Sequence, residues 1–266
     1  MTISVTKEFR SVYGPVKSWR YGRSLGIDPI GKISTCSFNC VYCQLGEIET
    51  KTATRQVFIP TTKIIADLQT FNLDDLDVIT ISGSGEPTLA FNLGEIIVAI
   101  KEITDKPVIV LTNGTLLSDP EVRKQLSLAD RVAVKLDGVS EGMVQRIDRP
   151  VAGIELKNIL AGIKTFRQGF PGFMGIQTMI LTPWDDNKKR AYIDAIESIS
   201  PDEVQLNTPS RPKPLKHQLE GRGNHSSAAE RSYPVITFRQ VDPQFIKTFG
   251  NEITSLTGIK CVFRPS

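Results

Sequence analysis

Apolar residues in this chain gather in short, nearly continuous runs that end in polar residues. They are "DVITIS" (77–82), "PVIVLTNG" (107–114), "RVAVKLDG" (131–138), "FMGIQTMIL" (173–181) and "EVQLNTPS" (203–210). All are rich in β-branched residues. A run without polar alternation suits a strand covered on both faces, as in a parallel sheet. "RSLGIDPIGKIST", just upstream, supplies a first strand whose limits are blurred by its Gly and Pro. Between these runs the period lengthens to that of a helix. "TTKIIADLQTF" puts Ile64, Ile65, Leu68 and Phe71 on one stripe, and "NLGEIIVAIKEIT" does the same with Leu93, Ile96, Ile97 and Ile100. "SDPEVRKQL" opens with a capping-box pattern, Ser118 with Glu121, and carries Pro120 in its first turn. "GIELKNILAGIKTF" and "DDNKKRAYIDAIESI" continue the series. The alternation of strand and helix predicts βα units and one parallel sheet. An open, incomplete barrel and a doubly wound sheet both satisfy that pattern.

After Pro212 the order weakens. "KPLKHQLEGRGNHSSAAERSYP" is polar and reads as an extended or mobile loop. "VITFRQ" then reads as a strand and "DPQFIKTFGNEITSLTG" as a helix with Phe245, Ile246, Phe249 and Ile253 on one side. "IKCVFRPS" closes the chain as a further strand. The expected organisation is a core over residues 1–212 and a C-terminal extension over 213–266 packed on it.

Composition narrows the class. With 266 residues and 40% hydrophobic content, a large core forms without covalent staples. The net charge of +3 gives no indication of nucleic acid by itself. No apolar run approaches the ~20 residues that span a bilayer, and no basic stretch followed by an apolar one marks a signal peptide. The expectation is a soluble, cytoplasmic protein without a membrane partner.

The four cysteines sharpen this picture. Three stand together in "TCSFNCVYCQLG" (35–46) as C-x3-C-x2-C, and Cys261 lies far downstream. That is no disulfide framework. Thiolates are soft ligands for zinc, Cu(I) or iron–sulfur clusters. A structural zinc needs four ligands, and the fourth would have to be Cys261, His217, His225 or a carboxylate. Three thiolates on a four-iron cluster leave one iron open to a substrate or cofactor. A zinc-stabilised nucleic-acid-binding module is therefore the alternative to an iron–sulfur enzyme. Cys261 reads as a small buried apolar residue.

The C-x3-C-x2-C loop, with Tyr42 just before its third cysteine, resembles that of the radical S-adenosylmethionine (SAM) enzymes. The likeness continues in order along the chain through "SGSGEPTL" (82–89), "LTNG" (111–114) and "KLDG" (135–138). It covers roughly residues 10 to 212. It implies a partial (β/α)6 barrel of the radical SAM type, an α/β fold with a C-terminal extension. It also implies that Cys36, Cys40 and Cys43 bind a 4Fe–4S cluster whose fourth iron is chelated by SAM. One electron then cleaves SAM reductively, and a 5′-deoxyadenosyl radical takes hydrogen from a substrate. A flavodoxin or ferredoxin is the implied reductant. Ser84, Gly85 and Glu86 take the family's Gly-Gly-Glu position toward the SAM ammonium. Tyr42 lies against the adenine. Thr112, Asn113 and Asp137 face ribose or substrate, with Gln177 and Asn207 as candidates for the same cavity. Each has a structural alternative: a strand-ending turn at Thr112–Gly114, a helix cap at Asp137, rim residues at Gln177 and Asn207. Ser84 departs from the usual Gly. Lys135 departs from the usual Ser, and it reaches either an anion or the space between strand and helix.

"YGPVKSWRYGRSLGIDP" (13–29), "IDRP" (147–150) and "LNTPSRP" (206–212) resemble a wyosine-synthase-like, tRNA-modifying branch. That branch carries a second set of cysteines upstream, and no cysteine precedes Cys36 here. The substrate expectation thus spans a small molecule, a peptide and tRNA. Arg20, Arg23, Arg146, Arg149 and Arg211 are candidate anion binders or surface salt bridges.

Overall fold

In the computed structural model, which describes residues 9–223 and 231–264, the apolar runs become the strands of one sheet. The chain begins with a hairpin, β1 (Val12–Ser18) and β2 (Gly22–Ile27). Short strands β3 (Thr35–Cys36) and β4 (Thr50–Lys51) bracket the cysteine loop. There follow α1 (Thr61–Leu68), β5 (Val78–Ile81), α2 (Leu93–Ile103), β6 (Val108–Thr112), α3 (Pro120–Leu126) and β7 (Arg131–Lys135). Next come α4 (Glu141–Ile147), α5 (Leu156–Gly169), β8 (Phe173–Met179), α6 (Asp186–Ile199) and β9 (Glu203–Asn207). The chain ends with β10 (Lys213–Pro214), β11 (Val235–Ile236), α7 (Pro243–Thr257) and β12 (Lys260–Phe263).

The large sheet runs β1-β2-β5-β6-β7-β8-β9-β12. Only the β1–β2 pair is antiparallel; from β2 to β12 every neighbour is parallel. Register fixes which side chains share a face. Val134, Ile176 and Val204 are aligned across β7, β8 and β9, are fully buried, and belong to the core under the helices. The next row, Lys135, Gln177 and Gln205, points to the opposite face because strand side chains alternate. One contact shows that this second face is concave. The Tyr21 hydroxyl, at the tip of the β1–β2 hairpin, lies 2.9 Å from Gln177 Nε2 and 3.3 Å from Gln205 Oε1. In a flat sheet β2 and β8 would be roughly 19 Å apart, four strand spacings, beyond the reach of one tyrosine. The sheet therefore curls into a partial barrel, which selects between the two architectures left open by the sequence pattern.

The helices cover the convex face. Ile159, Ile163 and Phe166 of α5 and Ile193, Ile196 and Ile199 of α6 are all within the core. Each such side chain contributes roughly 1.5–3 kcal/mol by leaving water. Trp184, Tyr192 and Phe249 pack with ring centroids 5.3–5.7 Å apart and join α6 to α7. β12 then adds in parallel beside β9, as the last apolar run suggested. Cys261, on this strand, is half-buried rather than fully enclosed, its Sγ close against Gly250. Among the described residues no helix is long and apolar enough to cross a membrane.

Three local expectations are corrected, and one helix was not expected. The cap of α3 is Asp119, whose carboxylate accepts from Glu121 N at 2.8 Å, rather than Ser118. Pro120 is the reason: it holds the residue before it extended, which is the N-cap conformation. "VITFRQ" pairs only at Val235 and Ile236, with β10, because β12 already occupies the free edge of β9. α4 follows an N-cap, Ser140, that the sequence reading passed over. Residues 213–223 are no free loop but a tied strap, described below; His225 and the rest of 224–230 lie outside the described residues.

Candidate functional site

Strand ends create the site. At the carboxyl ends of β2, β5, β6 and β7 stand Asp28, Ser84–Glu86, Asn113 and Asp137, and the cysteine loop lies across them. The loop is attached at three places. Thr35 forms a parallel bridge with Gly85: Thr35 N donates to Ser84 O at 3.0 Å and Glu86 N to Thr35 O at 3.1 Å. The approach is so close that a Cβ on Gly85 would sit 1.7 Å from the Thr35 carbonyl oxygen. The second attachment is "IDRP". Asn39 N donates to Asp148 O at 2.9 Å and Val41 N to Ile147 O at 2.8 Å. The third is the strap, where Gln218 N donates to Leu45 O at 2.8 Å and Lys213 Nζ to Cys40 O at 3.3 Å. Gly46, at φ +93°, admits the Lys216 carbonyl where a side chain would collide.

The expected site residues fall into two groups beneath this loop, with Ser84 apart from both, and two outliers. In the first group Glu86 is buried and its carboxylate accepts from Thr88 N, Thr88 Oγ1, Thr112 Oγ1 and Asn113 N at 2.6–3.0 Å. Burial raises its pKa, and these hydrogen bonds oppose the rise. Oε1 takes three of the four donors, which leaves acceptor capacity on Oε2. Asn113 Nδ2 reaches Ser37 Oγ at 2.8 Å and Cys36 Sγ at 3.6 Å, so the third strand end touches the first cysteine. Ser84 belongs to a different contact: its Oγ donates to Asp28 Oδ2 at 2.6 Å, away from Glu86. Arg222 of the strap also donates to Asp28 Oδ2, at 2.8 Å.

The second group is an ion cluster. Lys135 Nζ donates to Asp137 Oδ2 at 2.6 Å and to Asp148 Oδ1, and the Tyr42 hydroxyl donates to the same Asp137 oxygen. The Phe38 and Tyr42 rings flank the ammonium at 5.5 and 5.6 Å. Burial works against the charge of Lys135, but Asp137 and Asp148 outweigh it and raise its pKa. One ammonium thus serves two carboxylates. The pKa of Asp148 is driven up to about 6 by burial and the nearby Asp137, with Lys135 opposing. Of the two positions open to Lys135, the structure shows the inward one. Asp137 caps no helix, since Ser140 caps α4; its other oxygen accepts from Met179 N at 2.8 Å. The Tyr42 phenol is engaged by Asp137, so only its backbone and ring faces are available to a ligand.

The outliers are Gln177 and Asn207. Gln177 pairs with Tyr21 and Gln205 deeper in the barrel, and Asn207 Oδ1 accepts from Thr208 N at 3.0 Å. Asp28, Asp148, Lys213 and Arg222 were not anticipated as site residues. The two aspartates did stand in quoted strings, "GIDP" and "IDRP". Lys213 and Arg222 sit in a stretch whose composition reads as loop.

Burial raises the pKa of all three loop thiols, and each feels its neighbours' charge. Such thiols need a bound metal to deprotonate them. Cys40 Sγ stands 3.7 Å from Asp148 Oδ1, and Cys43 N donates to Cys40 O at 3.1 Å. An all-sulfur, three-point donor set suits an iron–sulfur cluster, in which each thiolate takes a different iron. Among the described residues no three Cys, His, Asp or Glu side chains gather as a single-ion site. His217 is instead paired with Glu49 at 2.8 Å, and Cys261 belongs to the α7–β12 corner.

A cysteine loop bound across the strand ends of a partial barrel defines a class. The chain belongs to the radical SAM superfamily, whose family model matches residues 31–195. More particularly, it is 57% identical over 251 residues to UPF0026 protein slr1464 of Synechocystis, an alignment covering 94% of this chain and 95% of that protein. Among solved structures it resembles Streptococcus suis SuiB bound to precursor peptide SuiA, with a TM-score of 0.61 and 13% identity over 90% of this chain and 48% of SuiB. The same protein bound to S-adenosylmethionine gives a TM-score of 0.60 at 13% identity, covering 87% of this chain and 48% of SuiB. This chain spans about half the length of SuiB, and at that identity the likeness is one of fold.

Proposed function

We propose that this protein binds a 4Fe–4S cluster on Cys36, Cys40 and Cys43 and uses it with SAM to abstract hydrogen from a substrate held in the barrel. The observation that carries this reading is the Thr35–Gly85 bridge with its Asn113–Cys36 contact, which joins three thiols to the polar strand ends. Bound together, the cluster and SAM supply one-electron cleavage of a sulfonium carbon–sulfur bond.

This chain's own residues hold and shield. Glu86 keeps acceptor capacity toward the SAM ammonium while its other contacts fix Thr112 and Asn113. Gly85 lets the loop lie directly on the strand end. Asp137, held by Met179 N, Tyr42 and Lys135, keeps one acceptor site on Oδ1 for a ribose hydroxyl. The charge of Lys135 is fixed beside Cys40, where it favours the thiolate. The strap from Lys213 to Arg222 excludes water from the loop's outer side, which protects reactive intermediates. Residues 1–212 are the catalytic core in this reading and 213–266 the extension that covers it. A flavodoxin or ferredoxin supplies the electron, and the reducing cytoplasm is the compartment.

The test is anaerobic reconstitution with iron and sulfide, then SAM and dithionite. Release of 5′-deoxyadenosine is expected, with loss of both the brown chromophore and the product in Cys40→Ala. A fully loaded cluster that releases none overturns the reading. Stoichiometric zinc without iron would favour the zinc-stabilised module instead.

A further inference from the structure

Guanidinium groups from the two edges of the sheet meet near Arg211. Arg20 stands at the tip of the β1–β2 hairpin at one edge, and Arg264 directly follows β12 at the other. Arg211 follows β9, and the charges of Arg20, Arg264 and Arg231 all oppose its own. Like charges brought together from four separate segments cost stability unless something offsets them. Part of the offset for Arg211 is Gln44 Oε1, which accepts at 2.5 Å and links it to the residue after Cys43. Arg20 has less. Among the described residues it forms no ion pair, and its Nε is shielded from solvent with no hydrogen-bond partner. Its guanidinium lies 5.2 Å from the Trp19 ring centroid and 5.9 Å from that of Tyr21, which holds the fork in place. Tyr21 in turn is fixed by Gln177 and Gln205 on the concave face. The nearby carboxylate, Glu203, is engaged by Lys260 at 3.4 Å.

We infer that Arg20, with Arg211 and Arg264, forms the anion subsite of the substrate chamber, and that the substrate is a small molecule bearing a phosphate or carboxylate group. A planar fork held by aromatic rings matches such a group in two-point contact. Gln177 and Tyr21 supply neutral hydrogen-bonding groups beside it. The Gln44 contact ties the subsite to the cysteine loop, so an anion held there places the rest of the molecule toward the strand ends. A small molecule fits better than a nucleic-acid strand, because Arg20 and Arg211 are half-buried, and Arg20 packs against two rings rather than standing on an exposed stripe. This inference rests on the proposed function, which makes the barrel the reaction chamber.

Its test is a binding measurement on reconstituted, SAM-loaded protein, independent of turnover. Pyrophosphate and malonate are titrated separately, to distinguish a phosphate from a carboxylate source. The readouts are calorimetry and the fluorescence of Trp19, against the constant background of Trp184 in the core. Saturable binding of one probe is expected, weakened roughly 10- to 100-fold in Arg20→Gln and partly restored in Arg20→Lys. Arg23→Gln is the control, since Arg23 is exposed and pairs with Asp75 at 3.8 Å. Failure of both probes to bind the wild type overturns the inference, as does an equal loss in Arg23→Gln. Unfractionated tRNA that binds in an Arg20-dependent way while neither probe does would also overturn it, in favour of RNA. Failure of SAM cleavage with Arg20-dependent anion binding intact would refute the proposed function and, with it, the subsite's role toward a substrate; loss of anion binding with SAM cleavage intact would refute the subsite alone.

Discussion

Gly85→Ala is the smallest change that separates the cysteine loop from the strand ends. The added methyl would lie 1.7 Å from Thr35 O and 2.6 Å from Thr35 C, both backbone atoms that cannot swing aside. The two segments must part, which stretches or breaks Thr35 N to Ser84 O and Glu86 N to Thr35 O. Two hydrogen bonds at about 1 kcal/mol each, with about 1–3 kcal/mol of overpacking, give a loss of about 3–5 kcal/mol. That is a large share of an ordinary stability of about 5–15 kcal/mol. The assay is urea unfolding of the apo protein, together with iron and sulfide content after reconstitution. The control is Gly169→Ala at the end of α5, where an added Cβ meets nothing within 4 Å and φ is unstrained. It should be neutral or stabilise by up to about 1 kcal/mol. If Gly85→Ala unfolds within 1 kcal/mol (about the error of such a comparison) of Gly169→Ala and takes up a full cluster, the bridge does not hold the loop, and the reasoning fails.

Two further outcomes follow from the charges. Lys135→Met should cost about 3–5 kcal/mol, because it leaves Asp137 and Asp148 buried without their ammonium; adding Asp148→Asn should recover part of the loss, and denaturant midpoints that ignore the second change would contradict the shared-ammonium geometry. Asp67 accepts from both Ser11 N and Ser11 Oγ and pairs with Lys63, and its pKa is lowered because these contacts outweigh the opposing effect of burial. A lowered carboxylate contributes stability above its unfolded value and loses it as pH falls through the folded value. Asp67→Asn should therefore destabilise by about 1–3 kcal/mol at neutral pH, and the gap to wild type should close as pH drops below the ordinary aspartate value of 3.8; a gap that stays constant down to the acid limit would show that its charge is not what matters.

The extent to which the sequence was legible followed the range of the interactions. Strand runs such as Val78–Ile81 and Val108–Thr112 and helices such as Leu93–Ile103 declare themselves by period, because burial on one or both faces must be written residue by residue. The C-x3-C-x2-C spacing and the polar strand ends were equally local, and so was the order in which they occur. Sequence misjudged the α3 cap by one residue, since Ser118 and Asp119 are both good caps and only the backbone before Pro120 chooses between them. It misjudged 213–223 for a different reason. A strap held by Arg222–Asp28 and Gln218–Leu45 carries no period, because its partners lie far away along the chain.

By itself, then, the sequence determined that this is an α/β chain of parallel strands carrying a three-thiol loop, because repeated burial patterns and short spacings are properties of neighbouring residues. Tertiary structure decided that the sheet curls, since that depends on Tyr21 meeting Gln177 and Gln205 across the concave face. It decided that Lys135 points inward, where two carboxylates from separate segments outweigh its desolvation. And it brought Arg20 and Arg211 together from segments far apart in the chain, because only closure of the barrel makes neighbours of the first hairpin and the segment after β9.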